Sequence, residues 1–363
     1  MRVCIDVTAA AKPRPTGIAT YIRSLIRHLA EIDPESEYEL CYRVSRRPRR
    51  PQLPRLPGAN FRWRRCGAPL DWFRRPKEDV FHGTDVRIPN HRGPALVATV
   101  HDLFSVISDR FASARFREKK ARYYRDAVSR AATIIAPSES TRRDLIEHLG
   151  ADPDRVVVIH EGVETDPPPA TDEQVARVRS EHGISARYIL SVGSVNVRKN
   201  SAGLVRAFAR VRDRFGSETE LVIVGAHSQP EETLEAIAEE NVGDCVRLVG
   251  YAAEGAMPAL YTGARAFALP SLYEGFGIPV LEAMAYGVPV VTSNVSSLPE
   301  IAGDAALLVD PEDVEGLGDA LLRAADDAGT REQLIARGRE RVRGFTWGET
   351  ARRTLDVYRQ LAG

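Results

Sequence analysis

The sequence lacks an excess of charge of either sign, is poor in cysteine and has no long apolar run. Its 50 Lys and Arg balance 50 Asp and Glu, for a formal net charge of zero. Such a chain exerts no general attraction on nucleic acid, and no nucleic-acid partner is expected. The four cysteines, Cys4, Cys41, Cys66 and Cys245, are scattered without metal-type pairing. No metal is assigned, and a reduced, cytoplasmic setting is the simplest expectation. The opening Met1-Arg-Val-Cys-Ile-Asp has no signal-peptide pattern. No apolar run is long enough to cross a bilayer. Gly-x-Gly-x-x-Gly is missing from the first loop of both halves of the chain, which argues against a nicotinamide dehydrogenase.

What is present is an alternation. At 363 residues, 43% of them apolar, the chain has material for two cores. Short strand-like runs (3–7, 96–100, 132–136, 188–192, 221–225, 288–292) alternate with amphipathic helical stretches. This pattern predicts an α/β fold with parallel sheets. The run Thr165-Asp-Pro-Pro-Pro-Ala-Thr is stiff and cannot sit inside a packed sheet, so it marks the domain boundary.

The most informative stretch is 265–292, which reads as strand, Gly-rich turn, short helix, strand. Pro279 suits the first turn of a helix, where a missing N–H costs nothing. Gly275 and Gly277 let the backbone approach a ligand closely, and the helix start that follows suits a phosphate. Glu274 precedes this helix and Glu282 lies inside it. Two such carboxylates can point to one cleft and accept hydrogen bonds from sugar hydroxyls. Either glutamate alone would be read as a cap or a solvated side chain; the combination with two glycines and a proline points to a site.

Other candidates sit where strands run into loops, the place at which ligands bind in doubly wound sheets. Gly17 follows the first strand and is placed near a diphosphate or an acceptor, or else simply starts a helix. His101 and Asp102 end the strand 96–100 and should project into the cleft. Arg198 and Lys199 lie between the strand 188–192 and the next helix. Two cations at a helix start would stabilise a departing diphosphate. A cationic stretch, 43–65, contains Arg43, Arg46, Arg47, Arg49, Arg50, Arg55, Arg62, Arg64 and Arg65. Its prolines make it an extended loop, read as solvated surface or, in the sharper reading, as a contact with anionic lipid or a phosphate-bearing acceptor. Residues 110–131 read as a basic amphipathic helix, for packing on the sheet or for a membrane surface. Asp152-Pro-Asp154 reads as a turn.

Glu274-Gly-Phe-Gly-Ile-Pro-Val-Leu-Glu282-Ala-Met-Ala-Tyr-Gly, continuing through Pro289-Val-Val and Ser297-Leu-Pro-Glu300, resembles the signature of retaining glycosyltransferase family 4, of GT-B fold. The resemblance covers nearly the whole chain and is strongest over about 188–310. It implies two Rossmann-like domains facing a central cleft: 1–165 on the acceptor side, 166–344 binding the nucleotide sugar, and 345–363 crossing back to the first domain. It further implies that Glu274 contacts the donor sugar, that Glu282 contacts the nucleotide ribose, and that backbone at Gly275, Phe276, Gly277 and Ile278 holds sugar hydroxyls. Tyr251 would lie at the nucleotide base and Lys199 at the diphosphate. Val100-His-Asp-Leu103 is similar to the mannosyltransferase-like members, which places His101, with Asp102, beside the reacting centre.

The expected reaction moves a hexosyl group from a nucleoside diphosphate sugar to an acceptor hydroxyl with retention, without a metal. GDP-mannose leads, with UDP or glucose-type donors behind it. The acceptor expected from the family is a polysaccharide or a lipid-linked saccharide, met by a cytoplasmic enzyme at, or peripheral to, the inner face of a membrane. A sugar-nucleotide epimerase of the same fold and a non-catalytic nucleotide-sugar binder stay open as alternatives.

Overall fold

The computed structural model describes residues 1–11, 16–43, 56–66, 77–89, 93–215 and 218–363. The chain divides into two compact units, Met1–Gly162 with Phe345–Gly363, and Val163–Gly344.

The first unit is built on strands β1 (Arg2–Asp6), β2 (Glu37–Arg43), β3 (Phe61–Cys66), β4 (Val80–Gly83), β5 (Ala95–Thr99), β6 (Thr133–Ala136) and β7 (Val156–Val158). All pair in parallel, in the order β3-β2-β1-β4-β5-β6-β7. Strands β1, β5, β6 and β7 are short, mostly apolar runs because a parallel sheet is covered on both faces; in β1, Val3, Cys4 and Ile5 are fully buried. The helix Gly17–Ile32 buries Ile22, Leu25, Ile26 and Leu29 at helical spacing. It packs against the last helix of the chain, Trp347–Ala362. Thr346 caps that last helix by accepting from the Glu349 N–H (3.2 Å).

The second unit carries β8 (Arg187–Val192), β9 (Thr219–Val224), β10 (Val246–Gly250), β11 (Ala266–Leu269), β12 (Val290–Ser293) and β13 (Ala306–Val309). These too are all parallel, in the order β10-β9-β8-β11-β12-β13. Its core joins Leu204, Val205, Phe208 and Val211 of the helix Ser201–Phe215 to Leu317 and Leu321 of the helix Val314–Asp326.

Both sheets have a point where the strand order reverses. In the first unit the chain runs outward from β1 to β3, then returns to β4 on the other side of β1. In the second unit it runs from β8 to β10 and returns to β11 beside β8. The carboxyl ends of β1 and β4, and of β8 and β11, therefore diverge and leave a crevice in each unit.

The cationic stretch is not one extended loop. Arg43 closes β2, while Arg62, Arg64 and Arg65 lie in β3. Arg64 is buried and paired with Glu39 at 3.0 Å and Glu78 at 2.9 Å. Carboxylates from the neighbouring strand and from the approach to β4 neutralise it, which is what lets a charged residue enter the sheet. Arg46, Arg47, Arg49, Arg50 and Arg55 lie outside the described residues. The basic segment 110–131 is likewise divided: a short turn, Asp109–Phe111, precedes the helix Ala114–Arg130.

Candidate active site

In the second unit the loop after β8 and the loop after β11 meet at the crevice. Arg198 and Lys199 come from the first loop and Glu274 from the second. Arg198 Nη1 donates to Glu274 Oε2 at 3.0 Å and to the Tyr273 carbonyl at 2.8 Å. Lys199 Nζ donates to Glu274 Oε1, and Ser271 Oγ donates to the same oxygen at 2.7 Å. Glu274 is 7% exposed. Burial by itself would raise its carboxyl, but the charges of Lys199 and Arg198, with hydrogen bonds from Lys199 and Ser271, hold it down to about 2. Two cations thus meet on one carboxylate, and such a pair suits an anion.

The loop is held from below as well. The Glu274 N–H donates to Ser296 Oγ at 2.9 Å, and Ser293 Oγ donates to the Ser271 carbonyl at 2.7 Å. The Ser297 hydroxyl lies within reach of the Glu274 and Phe276 carbonyls, at 3.0 and 2.8 Å. Gly277 has φ 112°, and a Cβ there would meet Leu298 Cδ2 at 2.9 Å, so only glycine fits the step into the helix Ile278–Ala285. Gly275 and Phe276 are buried in this turn and Ile278 is half-buried. On the same helix Glu282 accepts a 2.6 Å hydrogen bond from Tyr261 Oη. Burial pushes the Glu282 carboxyl up, against the Tyr261 hydrogen bond. Glu274 and Glu282 therefore answer to different partners. Tyr251, just past β10, is 42% exposed.

In the first unit a recess of about 320 Å³ opens at the crevice, lined in part by Asp6, Thr84, His101, Asp102, Phe104 and Lys120. His101 follows β5 and is held by both ring nitrogens: Nδ1 lies 2.7 Å from Glu161 Oε1, and Nε2 lies 2.9 Å from the Thr84 carbonyl. Burial would lower its pKa, but the Glu161 carboxylate and the Thr84 carbonyl outweigh it and raise the value. Asp102 lines the recess, and its carbonyl accepts from Tyr124 Oη at 3.0 Å. Asp6 faces Arg43 at 3.5 Å; burial pushes its carboxyl up against the pull of that guanidinium. Lys120 donates to Asp85 at 3.2 Å. Gly17 begins its helix in open space, with no atom within 4 Å of where a Cβ would stand.

The fold thus joins Arg198, Lys199 and Glu274 into one cluster and seats His101 and Asp102 on one recess. Glu161, Asp6 and Ser271 were not singled out from the sequence. Asp6 carried a signal, a carboxylate at a strand's carboxyl end. Glu161 carried none, since its partner His101 lies 60 residues away; Ser271 could have been read from its place three residues before Glu274.

The chain matches Glycosyl transferases group 1 over residues 174–341 and Glycosyltransferase Family 4 over residues 15–167. It is 31% identical to an O-antigen chain mannosyltransferase B of Escherichia coli, over 80% of this chain and 77% of that protein. It is 32% identical to a D-inositol 3-phosphate glycosyltransferase of Nocardioides sp., over 74% of this chain but only 62% of that longer protein. Among solved structures, a sucrose-phosphate synthase from Thermosynechococcus elongatus superposes with a TM-score of 0.77 at 23% identity, over 99% and 98% of the two chains. The two parallel α/β units are those of the GT-B fold. With the paired-glutamate motif of the second unit and relatives that span both halves, the chain belongs to the group 1 and family 4 glycosyltransferases and is a glycosyltransferase enzyme of glycan synthesis.

Proposed function

We propose that the protein transfers a mannosyl group from GDP-mannose to an acceptor hydroxyl, with retention of anomeric configuration. The acceptor is the growing end of a polysaccharide or a lipid-linked saccharide. The observation that carries the reading is the Arg198–Lys199–Glu274 cluster, whose two cations sit at a helix start on the switch point of the second unit. That is the environment a diphosphate leaving group requires as the bond to the sugar breaks. Glu282, with Tyr261 behind it, supplies a carboxyl for the nucleotide ribose. The likeness to a mannosyltransferase over 77% of its length supports mannose as the sugar.

The acceptor oxygen bonds to the anomeric carbon on the face from which the diphosphate departs. The leaving phosphate oxygen takes the acceptor proton, so the products are GDP and the α-linked glycoside. Lys199 and Arg198 neutralise the charge that develops on the phosphate, and the reaction is assigned no metal. The recess of the first unit takes the acceptor.

The test is nucleotide release and binding across GDP-mannose, UDP-glucose, UDP-N-acetylglucosamine and NAD, with and without EDTA. Selective, EDTA-insensitive release of GDP from GDP-mannose supports the proposal, and an NMR spectrum of the product anomer then decides retention. Turnover of a UDP-sugar alone overturns the donor assignment. Loss of release in EDTA overturns the metal-free route. Recovery of an epimerised sugar nucleotide makes the protein an epimerase.

A further inference from the structure

The sequence places Glu161 in an unremarked His-Glu-Gly-Val run, but the fold seats its carboxylate inside the first unit. Glu161 is 5% exposed and lies 2.7 Å from Nδ1 of His101, which is 60 residues away in the chain. The backbone around it is pinned. Thr350 Oγ1 donates to the His160 carbonyl at 2.8 Å, and the His160 and Phe345 rings lie 5.3 Å apart. At Gly162 a Cβ would stand 2.3 Å from the Trp347 backbone nitrogen, so the chain leaving the unit touches the chain re-entering it and only glycine allows the approach. Trp347 also packs on Tyr21 (6.3 Å between rings), and the edge of Tyr21 meets the His101 ring at 4.9 Å. His101 is thereby held by the exit segment, the edge of Tyr21 and the Thr84 carbonyl.

Both ring nitrogens face acceptors, a carboxylate and a carbonyl. Only the doubly protonated ring donates to both; the neutral ring leaves one acceptor without a proton. We propose that Glu161 is a positioning residue for glycosyl transfer: it fixes the His101 ring as a double hydrogen-bond donor in the wall of the recess, so that this ring orients there and does not take the acceptor proton. The groups facing the ring are consistent with this. Glu161 and Asp85 favour the charged form and burial opposes it. Tyr21 presents only its ring edge, and its hydroxyl is engaged with Thr99 at 3.1 Å. His82 is buried between Tyr358 and Thr99, and it stays neutral because burial, then the His101 charge, push it down to about 3. Across the recess Asp6 and Lys120 are matched to Arg43 and Asp85.

The inference takes the glycosyl transfer proposed above as given, but its first test needs no substrate. Ring-¹⁵N histidine NMR of the full chain from pH 6 to 9 is expected to show His101 keeping both ring protons to higher pH than an ordinary imidazole, beside a neutral His82. In Glu161→Gln the His101 titration moves to lower pH, and Glu161→Asp restores it in part. GDP release from GDP-mannose in the presence of acceptor then falls in Glu161→Gln chiefly on the alkaline side. The loss grows by about tenfold per pH unit between the variant's midpoint and that of the wild type. A wild-type His101 that titrates as an ordinary imidazole overturns the proposal. So does a Glu161→Gln variant whose pH profile keeps the wild-type shape, or whose activity falls equally at every pH. If Glu161→Gln does not fold, the wild-type and Glu161→Asp titrations decide. A failure of GDP-mannose as donor leaves the NMR result standing, so the two readings fail separately.

Discussion

Replacing Glu274 by glutamine keeps the shape of the side chain and removes the carboxylate on which Lys199 and Arg198 converge. The carboxyl is held down to about 2 from an ordinary 4.5, an interval worth about 3 kcal/mol of folding stability. The sign follows from the direction. A carboxyl lowered on folding contributes above pH 4.5, and the contribution is lost as pH falls toward 2. Wild type should therefore exceed Glu274→Gln by about 3 kcal/mol at pH 7 and by about 2 kcal/mol at pH 3.5. Urea denaturation at both pH values, followed by far-UV circular dichroism, reads the difference. The ordinary cost of breaking a buried ion pair is of the same order. Under conditions where the variant is folded, transfer should still fall by a hundredfold or more, about the effect of losing one preorganised electrostatic contact. A stability difference below about 1 kcal/mol at pH 7 would refute the claim that the two cations dominate Glu274. A difference that is the same at pH 7 and pH 3.5 would refute it equally, and near-normal turnover would remove Glu274 from the site.

Tyr261→Phe deletes the 2.6 Å hydrogen bond to Glu282. Donor KM should rise about fivefold, the equivalent of about 1 kcal/mol, with kcat nearly kept; a loss confined to kcat would place Glu282 in the chemistry instead. Arg64→Ala takes from buried Glu78 the guanidinium it meets at 2.9 Å and from partly buried Glu39 one of its two arginines, Arg62 remaining. It should cost about 3–5 kcal/mol in a denaturant melt, whereas a cost below about 1 kcal/mol would mean that the pair is effectively solvated. The helix Ala114–Arg130 exposes Arg115, Lys119, Arg125 and the 40%-exposed Phe116. Reversing those three charges should weaken sedimentation with anionic liposomes, each cation being worth about 1 kcal/mol near such a surface. Unchanged sedimentation would leave the helix face as ordinary solvated surface. Among the described residues no helix is long and apolar enough to cross a membrane.

Much of this architecture was legible because its signals are local. The run 188–192 reads as a strand from its apolar residues alone, and the structure has Arg187–Val192. The turn at 274–279 announces itself through two glycines and a proline, and the helix indeed begins at Ile278 with Pro279 in its first turn. The misreading of 61–66 as loop has a physical cause. Three arginines in six residues argue against a strand by composition, and the carboxylates of Glu39 and Glu78 that make Arg64 admissible lie 25 and 14 residues away. Charge is read from sequence, but neutralisation belongs to the fold.

The sequence by itself determined the class of most elements and the two-core α/β organisation, and it put forward Arg198, Lys199, Glu274, Glu282, His101 and Asp102 as candidates for a site. The tertiary structure decided which of them meet. Lys199 reaches Glu274 across 75 residues, His101 reaches Glu161 across 60, and His82 meets Tyr358 across 276. Each of these contacts is created where segments distant in the chain meet at the carboxyl ends of a sheet's strands, or where the last helix returns to the first sheet. Local periodicity specifies that a segment is a strand and which faces it buries; it does not specify which strand becomes its neighbour. That choice belongs to the packing of the whole sheet, and with it comes the difference between Glu274 as a solvated glutamate and Glu274 as the buried centre of a cationic cluster.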